Sequence, residues 1–170
     1  MPFRTRLLST AAALAALTAL STTPTQATNA TTTFAVTATV LSGCLVVATD
    51  LIFGNYSSTS GTANDAQSSV IATCTSGTAY TIAADPGAGT AATVAARSMT
   101  GLIGGNPLNY ALYTNSGRTT PWGDGTLSTS TFGGTATLLP TTYTVYGRIP
   151  TAQHPSAGLY ADLVTVTLTY

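Results

Sequence analysis

The chain has 170 residues, and its charge consists of five Arg and five Asp, with no Lys and no Glu. This excludes a nucleic-acid surface, which needs clustered cations, because Arg97, Arg118 and Arg148 are far apart in sequence and converge at most on a small pocket. The polar surface is made instead of Thr, Ser, Asn and Gly.

At the N-terminus, Arg4 and Arg6 precede an apolar run over residues 7–20, and small residues follow through Ala27 and Ala30. This is the layout of a secretory signal peptide, with cleavage expected after Ala27. The run falls short of the roughly 20 residues of a membrane-spanning helix, so an exported, soluble mature chain is expected. Removing residues 1–27 leaves about 143 residues, enough for one core.

Beyond the signal, Phe34, Val36, Ala38 and Val40 alternate with Ala35, Thr37 and Thr39, the period of a half-buried strand. Short strands are predicted over residues 45–47, 51–53 and 69–74, with residues 57–69 as a long Ser/Thr/Gly surface loop. Further strands are predicted over 80–84, 94–99, 108–113, 135–138 and 142–148. Asp85-Pro-Gly87 and Gly104-Gly-Asn-Pro107 supply turns between them. Residues 90–97 are Ala-rich but show no apolar stripe, and read as strand or irregular chain rather than helix. Residues 162–170 again alternate. Val164, Val166, Leu168 and Tyr170 share one face, and Leu163, Thr165, Thr167 and Thr169 the other. A strand of this kind is either paired or an open edge awaiting another chain. Many short strands between Gly and Pro turns predict an all-β, immunoglobulin-like antiparallel sandwich, with a small closed barrel as the alternative.

Cys44 and Cys74 are the two cysteines, and in an oxidising compartment they pair with each other. Such a bridge stabilises by roughly 3 to 4 kcal/mol in the chain-entropy model. Two cysteines and a lone His154 lack the ligand count of a metal site. Catalytic chemistry is equally unsupported. No Gly-x-Ser-x-Gly elbow is present, His154 sits beside Pro155 in a loop, and Asp124 and Asp162 read as a turn residue and a strand cap rather than a glycosidase pair. Gly87-Ala-Gly89-Thr-Ala-Ala92 follows a strand but opens no crossover helix, so it reads as a turn and no cofactor is expected. The tyrosines and Phe53 are expected to fill the core. Trp122, in Pro121-Trp-Gly-Asp-Gly125, is the best candidate for an exposed contact.

An ordered set of motifs resembles the spore coat protein U domain family. It comprises Cys44, Phe53-Gly-Asn-Tyr56, Cys74-Thr-Ser-Gly77 with Tyr80, and Arg97-x-Met99. In the second half follow Leu108-x-Tyr110-x-Leu112-Tyr113, Trp122-Gly-Asp-Gly125, Tyr146-Gly-Arg-Ile-Pro150 and Gly158-x-Tyr160-x-Asp162. The resemblance runs from about Phe34 to Tyr170. It implies a subunit of an archaic chaperone–usher pilus, a sandwich lacking one strand whose groove is filled by a partner. The partners so implied are a periplasmic chaperone, an outer-membrane usher and neighbouring pilin subunits. The route is through the periplasm to the cell surface, for attachment and biofilm formation. On this reading residues 28–40 form an N-terminal extension whose Phe34, Val36 and Ala38 are the donor residues. Residues 41–170 form the pilin domain, and Val164, Val166, Leu168 and Tyr170 belong to the strand that meets the chaperone. The same residues 34–40 also read as the first strand of a complete domain. A spore-coat or extracellular-matrix component, and a carbohydrate-binding adhesin module using Trp122, are the alternative functions.

Overall fold

The computed structural model describes residues 28–170, so the expected signal peptide lies outside the described residues. The chain divides into two units, Met1–Ala38 and Thr39–Tyr170. In the first, residues 28–38 carry no regular secondary structure and are exposed throughout. The strand expected over residues 34–40 is therefore not formed. Alternation creates an apolar face, but a strand also needs a neighbour to share its backbone ladder.

The second unit contains nine strands: β1 (Cys44–Ala48), β2 (Asn64–Cys74), β3 (Ala79–Ala84), β4 (Arg97–Gly101), β5 (Leu108–Tyr113), β6 (Phe132–Thr135), β7 (Thr141–Ile149), β8 (Tyr160–Ala161) and β9 (Val166–Thr169). They form a six-stranded sheet in the order β1-β2-β7-β5-β4-β8 and a three-stranded sheet in the order β6-β3-β9. Every pairing is antiparallel. The fold is the expected immunoglobulin-like sandwich.

The inward faces follow directly from period-two alternation. In β5, Leu108, Tyr110 and Leu112 are buried, and in β7, Val145 and Ile149. They meet Tyr80, Ile82 and Ala84 of β3 and Phe132 of β6 in a single core. Each fully buried Val, Leu, Ile or Phe contributes about 1.5–3 kcal/mol relative to exposure. Cys44 and Cys74 face each other in the β1–β2 register, with Cα atoms 4.1 Å apart, and their disulfide fastens the end strand β1 to its neighbour.

Several boundaries differ from expectation for identifiable reasons. β2 begins at Asn64, inside the predicted loop. Its first turn of ladder is polar because Asp65 and Gln67 pair outward against Arg148 and Tyr146 of β7, which hides the alternation. Residues 51–53 form no strand. Leu51 and Phe53 instead lie over Gly147, where a Cβ would approach both within 2.9 Å. The predicted strand over 94–99 starts at Arg97, and the one over 135–138 shifts back to Phe132. The terminal alternation is real, but only Val166–Thr169 is paired, and β8 was not anticipated. The Gly104-Gly105 turn joins β4 to β5 with φ values of 84° and 108°, a conformation that glycine adopts without strain.

Candidate functional site

A cleft of about 1000 Å³ opens into the second unit. Residues 48–56, which continue from β1, line it together with residues 155–164, which lead through β8 toward β9. Its floor is apolar, formed by Val70, Leu112, Trp122, Val145 and Ile149. At the lining, Ile52 and Leu163 are each 77% exposed. Exposed aliphatic side chains continuous with a core are costly to leave in water, which makes this concave apolar cleft the candidate binding site. The sheet topology adds a second property. β1 ends one sheet and β9 ends the other, and each pairs with one neighbour among the described residues. Their outer edges retain backbone groups free to pair.

The terminal segment has two parts. In β9, Val166 and Leu168 register with Ala84 and Ile82 of β3. They and Val164 are half-buried against the core, while Thr165, Thr167 and Thr169 are exposed. Tyr170, on the same nominal face, is 60% exposed.

Before β9, residues 162–165 cross from one sheet to the other without belonging to either. Side chains hold this crossing. Asp162 Oδ2 accepts from the Tyr110 hydroxyl at 2.7 Å, and its Oδ1 accepts from the Ala88 and Leu163 amides at 2.7 and 2.8 Å. Asp85 Oδ1 accepts from the Thr165 and Gly87 amides, each at 2.9 Å. Gly87 has φ 85°, and a Cβ there would run into the Asp162 carboxylate.

Beneath this lies Arg97, 1% exposed. Its guanidinium donates to the carbonyls of Ala84, Asp85, Val94 and Trp122 at 2.7–3.3 Å, so a buried charge is satisfied by carbonyl oxygens. Desolvation pushes its pKa below the ordinary guanidinium value. Partial burial pushes the Asp85 carboxyl up, but the Thr165 and Gly87 hydrogen bonds and the Arg97 charge outweigh it, and the net shift is downward. Burial, then the hydrogen bond to Asp162, holds the Tyr110 hydroxyl firmly protonated.

Trp122 is not an exposed contact. It is 2% exposed, its Nε1 donates to the Ile82 carbonyl at 3.2 Å, and its ring packs 5.1 Å from that of Phe132. Pro121, Gly123 and Gly125 beside it make a turn-rich loop. However, bridges at Tyr113–Pro121 and Trp122–Ser130 draw the indole into the core, where its N–H finds a partner. The scattered arginines partly converge, since Arg118 and Arg148 share Asp65 at 3.3 and 2.7 Å on the outer face. His154 is exposed in the loop after β7. The expected donor residues Phe34, Val36 and Ala38 are exposed, Phe34 at 84% and Val36 at 82%.

Two features escaped the sequence reading. One is the 48–56 wall, signalled only by the apolar triplet Leu51-Ile52-Phe53. The other is the carboxylate clamp at 162–165, whose residues lie up to 80 positions apart in the chain.

The architecture is thus an immunoglobulin-like antiparallel sandwich with an open apolar cleft beside two end strands. The family model described as the spore coat protein U domain matches residues 30–167, and the chain belongs to that family. No curated protein matches it in sequence. Among solved structures, it is similar to a chain of the CsuC-CsuE chaperone-tip adhesion subunit pre-assembly complex from the archaic chaperone-usher Csu pili of Acinetobacter baumannii. That match has a TM-score of 0.59 at 24% identity, covering 78% of this chain and 41% of the other. The likeness is one of fold.

Proposed function

We propose that this protein is a structural subunit of an adhesive chaperone–usher pilus that polymerises by donor-strand exchange. The observation that carries this reading is the apolar cleft adjoining end strands with unused ladder edges. A partner strand entering it adds main-chain hydrogen bonds and places alternate side chains in the cleft. A periplasmic chaperone fills the cleft first, against the terminal strand that carries Val164, Val166 and Leu168. At an outer-membrane usher, the N-terminal extension of the next subunit replaces it. The extension is residues 28–40, after removal of residues 1–27, and the domain is residues 41–170. Phe34, Val36 and Ala38 enter the cleft, with about 1.5–3 kcal/mol for full burial of each of the two larger side chains. The contact is head-to-tail, so repetition gives a filament at the cell surface rather than a ring. Attachment and biofilm formation are the output. The family membership and the fold likeness to part of one chain of a chaperone–subunit complex support this reading, and the role it describes is structural rather than catalytic. The carbohydrate-binding alternative loses its principal residue with the burial of Trp122.

The test is self-complementation. Residues 28–41 appended after Tyr170 through a flexible linker should convert an aggregating or self-associating protein into a soluble monomer, if the linker spans the return to the cleft. A wild-type protein that is already a stable monomer by light scattering, and gains nothing from the appended strand, overturns the proposal.

A further inference from the structure

Residues 162–164 of the cleft wall, with Thr165 after them, are the part of the terminal segment that belongs to neither sheet, because β8 ends at Ala161 in one sheet and β9 begins at Val166 in the other. The Thr165 carbonyl still accepts from the Asp85 amide at 3.0 Å, but residues 162–164 have no ladder bond and are entropically free to leave an extended shape, at a cost of about 1–2 kcal/mol per residue to fix again. In this structure Asp162 takes the ladder's place. Its two oxygens accept from Tyr110, Ala88 and Leu163, binding the crossing at once to β5 and to the 85–92 loop. Glycine at position 87 lets the backbone approach this carboxylate, since any larger residue would collide with it. Tyr110 is itself fixed, 6% exposed and edge-on to Phe53 with ring centroids 6.1 Å apart. Phe53 lies in the 48–56 wall, so the Asp162–Tyr110–Phe53 chain connects both walls of the cleft.

We infer that Asp162 is a positioning residue for strand uptake, holding the 162–165 wall in the extended form an incoming strand must meet. The inference rests on the strand-uptake reading above. Asp162 touches the incoming strand only indirectly, through the wall it keeps in place. A wall already ordered spares the incoming strand the ordering cost, which is the general advantage of preorganisation.

The experiment follows uptake of a fluorescent synthetic peptide of residues 28–41 by the purified exported protein, diluted until light scattering shows no self-association, using anisotropy, with amide exchange at Leu163 and Thr165 measured in parallel. Asp162→Ala removes the contacts to Tyr110, Ala88 and Leu163 and leaves the Thr165 amide on Asp85; it should slow peptide association about tenfold while the Leu163 amide loses protection and Thr165 keeps most of its own. Asp162→Asn keeps an oxygen for the Ala88 and Leu163 amides and should restore most of the rate. Tyr110→Phe removes one partner and should slow association by roughly threefold. A purely structural role would lower the melting temperature and leave the association rate alone. Wild-type uptake with an unchanged rate in Asp162→Ala overturns the inference and leaves the strand-uptake reading standing. If Asp162→Ala does not fold, an unchanged rate in Tyr110→Phe does the same. A wild-type protein that takes up no peptide overturns both.

Discussion

Two stretches of this chain carry nearly the same pattern and meet different fates. Residues 34–40 and residues 164–169 both alternate apolar side chains with Thr or Ala. In the first, Phe34 and Val36 stand exposed at more than four-fifths of their surface; in the second, Val164, Val166 and Leu168 pack on the core. The difference lies in the neighbours, since β9 has β3 to share its ladder and residues 28–38 belong to no strand. Alternation thus specifies which face of a segment is apolar, and a partner decides whether that face is used.

The sharpest way to break this comparison is to place a charge on each face. Val166→Asp or Leu168→Asp forces a carboxylate into the apolar contacts that these half-buried side chains make with the core, so lost packing and an unpaired charge act together. Folded protein should not accumulate, and no chaperone complex should be recovered by co-purification. Phe34→Asp or Val36→Asp should leave the melting temperature and the chaperone complex intact and remove surface fibres. Fibres at wild-type abundance in the second pair would show that residues 34–38 are not the donor.

The disulfide sharpens the comparison from the other side, because it holds down β1, the end strand of the sheet opposite β9. Cys44→Ser or Cys74→Ser should cost roughly 3–4 kcal/mol, lowering folding yield and exposing the cleft wall that continues from β1. Residues 28–38 should show no change in amide exchange in the same variants. Two free thiols by mass analysis of the non-reduced protein would remove the basis of this prediction.

Legibility follows the same division. Strands whose inward residues alternate with small or polar outward ones, such as β3, β5 and β7, were readable to within a residue or so, because burial imposes its period on the sequence. The first half of β2 was not, since Asp65 and Gln67 face solvent in register with Arg148 and Tyr146, and nothing in composition separates them from a polar loop. Trp122 was misplaced because its local context is all turn. The bridges that bury it join residues that propensity treats as independent. Of the cleft, the terminal wall was legible as alternation. The 48–56 wall and the Asp85 and Asp162 clamp depend on contacts between distant residues, for which a single sequence carries no period.

The smallest expected effect concerns acid. Residues 28–38 contain no carboxyl group, whereas the 162–165 crossing is held by two, so low pH should act on one region and spare the other. The Asp85 pKa is lowered from 3.8; burial alone would raise it, but the Thr165 and Gly87 hydrogen bonds and the charge of Arg97 prevail. A carboxyl whose pKa is depressed on folding contributes stability that is fully present above its unfolded value and is lost as pH falls through the folded one. Asp162, Tyr110 and Arg97 face the same cluster, where the Tyr110 hydroxyl and the Arg97 guanidinium keep their protons throughout the acid range. The wild-type protein should therefore melt at a nearly constant temperature from neutral pH down to about 5, and progressively lower below about 4. Asp85→Asn keeps an oxygen for the two amides but not the charge, so it should be less stable than wild type at pH 7 by roughly 1 kcal/mol. The gap should close as the pH falls through the Asp85 pKa, because the wild-type carboxyl then becomes neutral as well. Parallel melting curves for the two proteins across the whole range would show that Asp85 does not hold the crossing through its charge. Amide exchange at Thr165 should track the same transition, while that of residues 28–38 follows only the intrinsic dependence of exchange on pH.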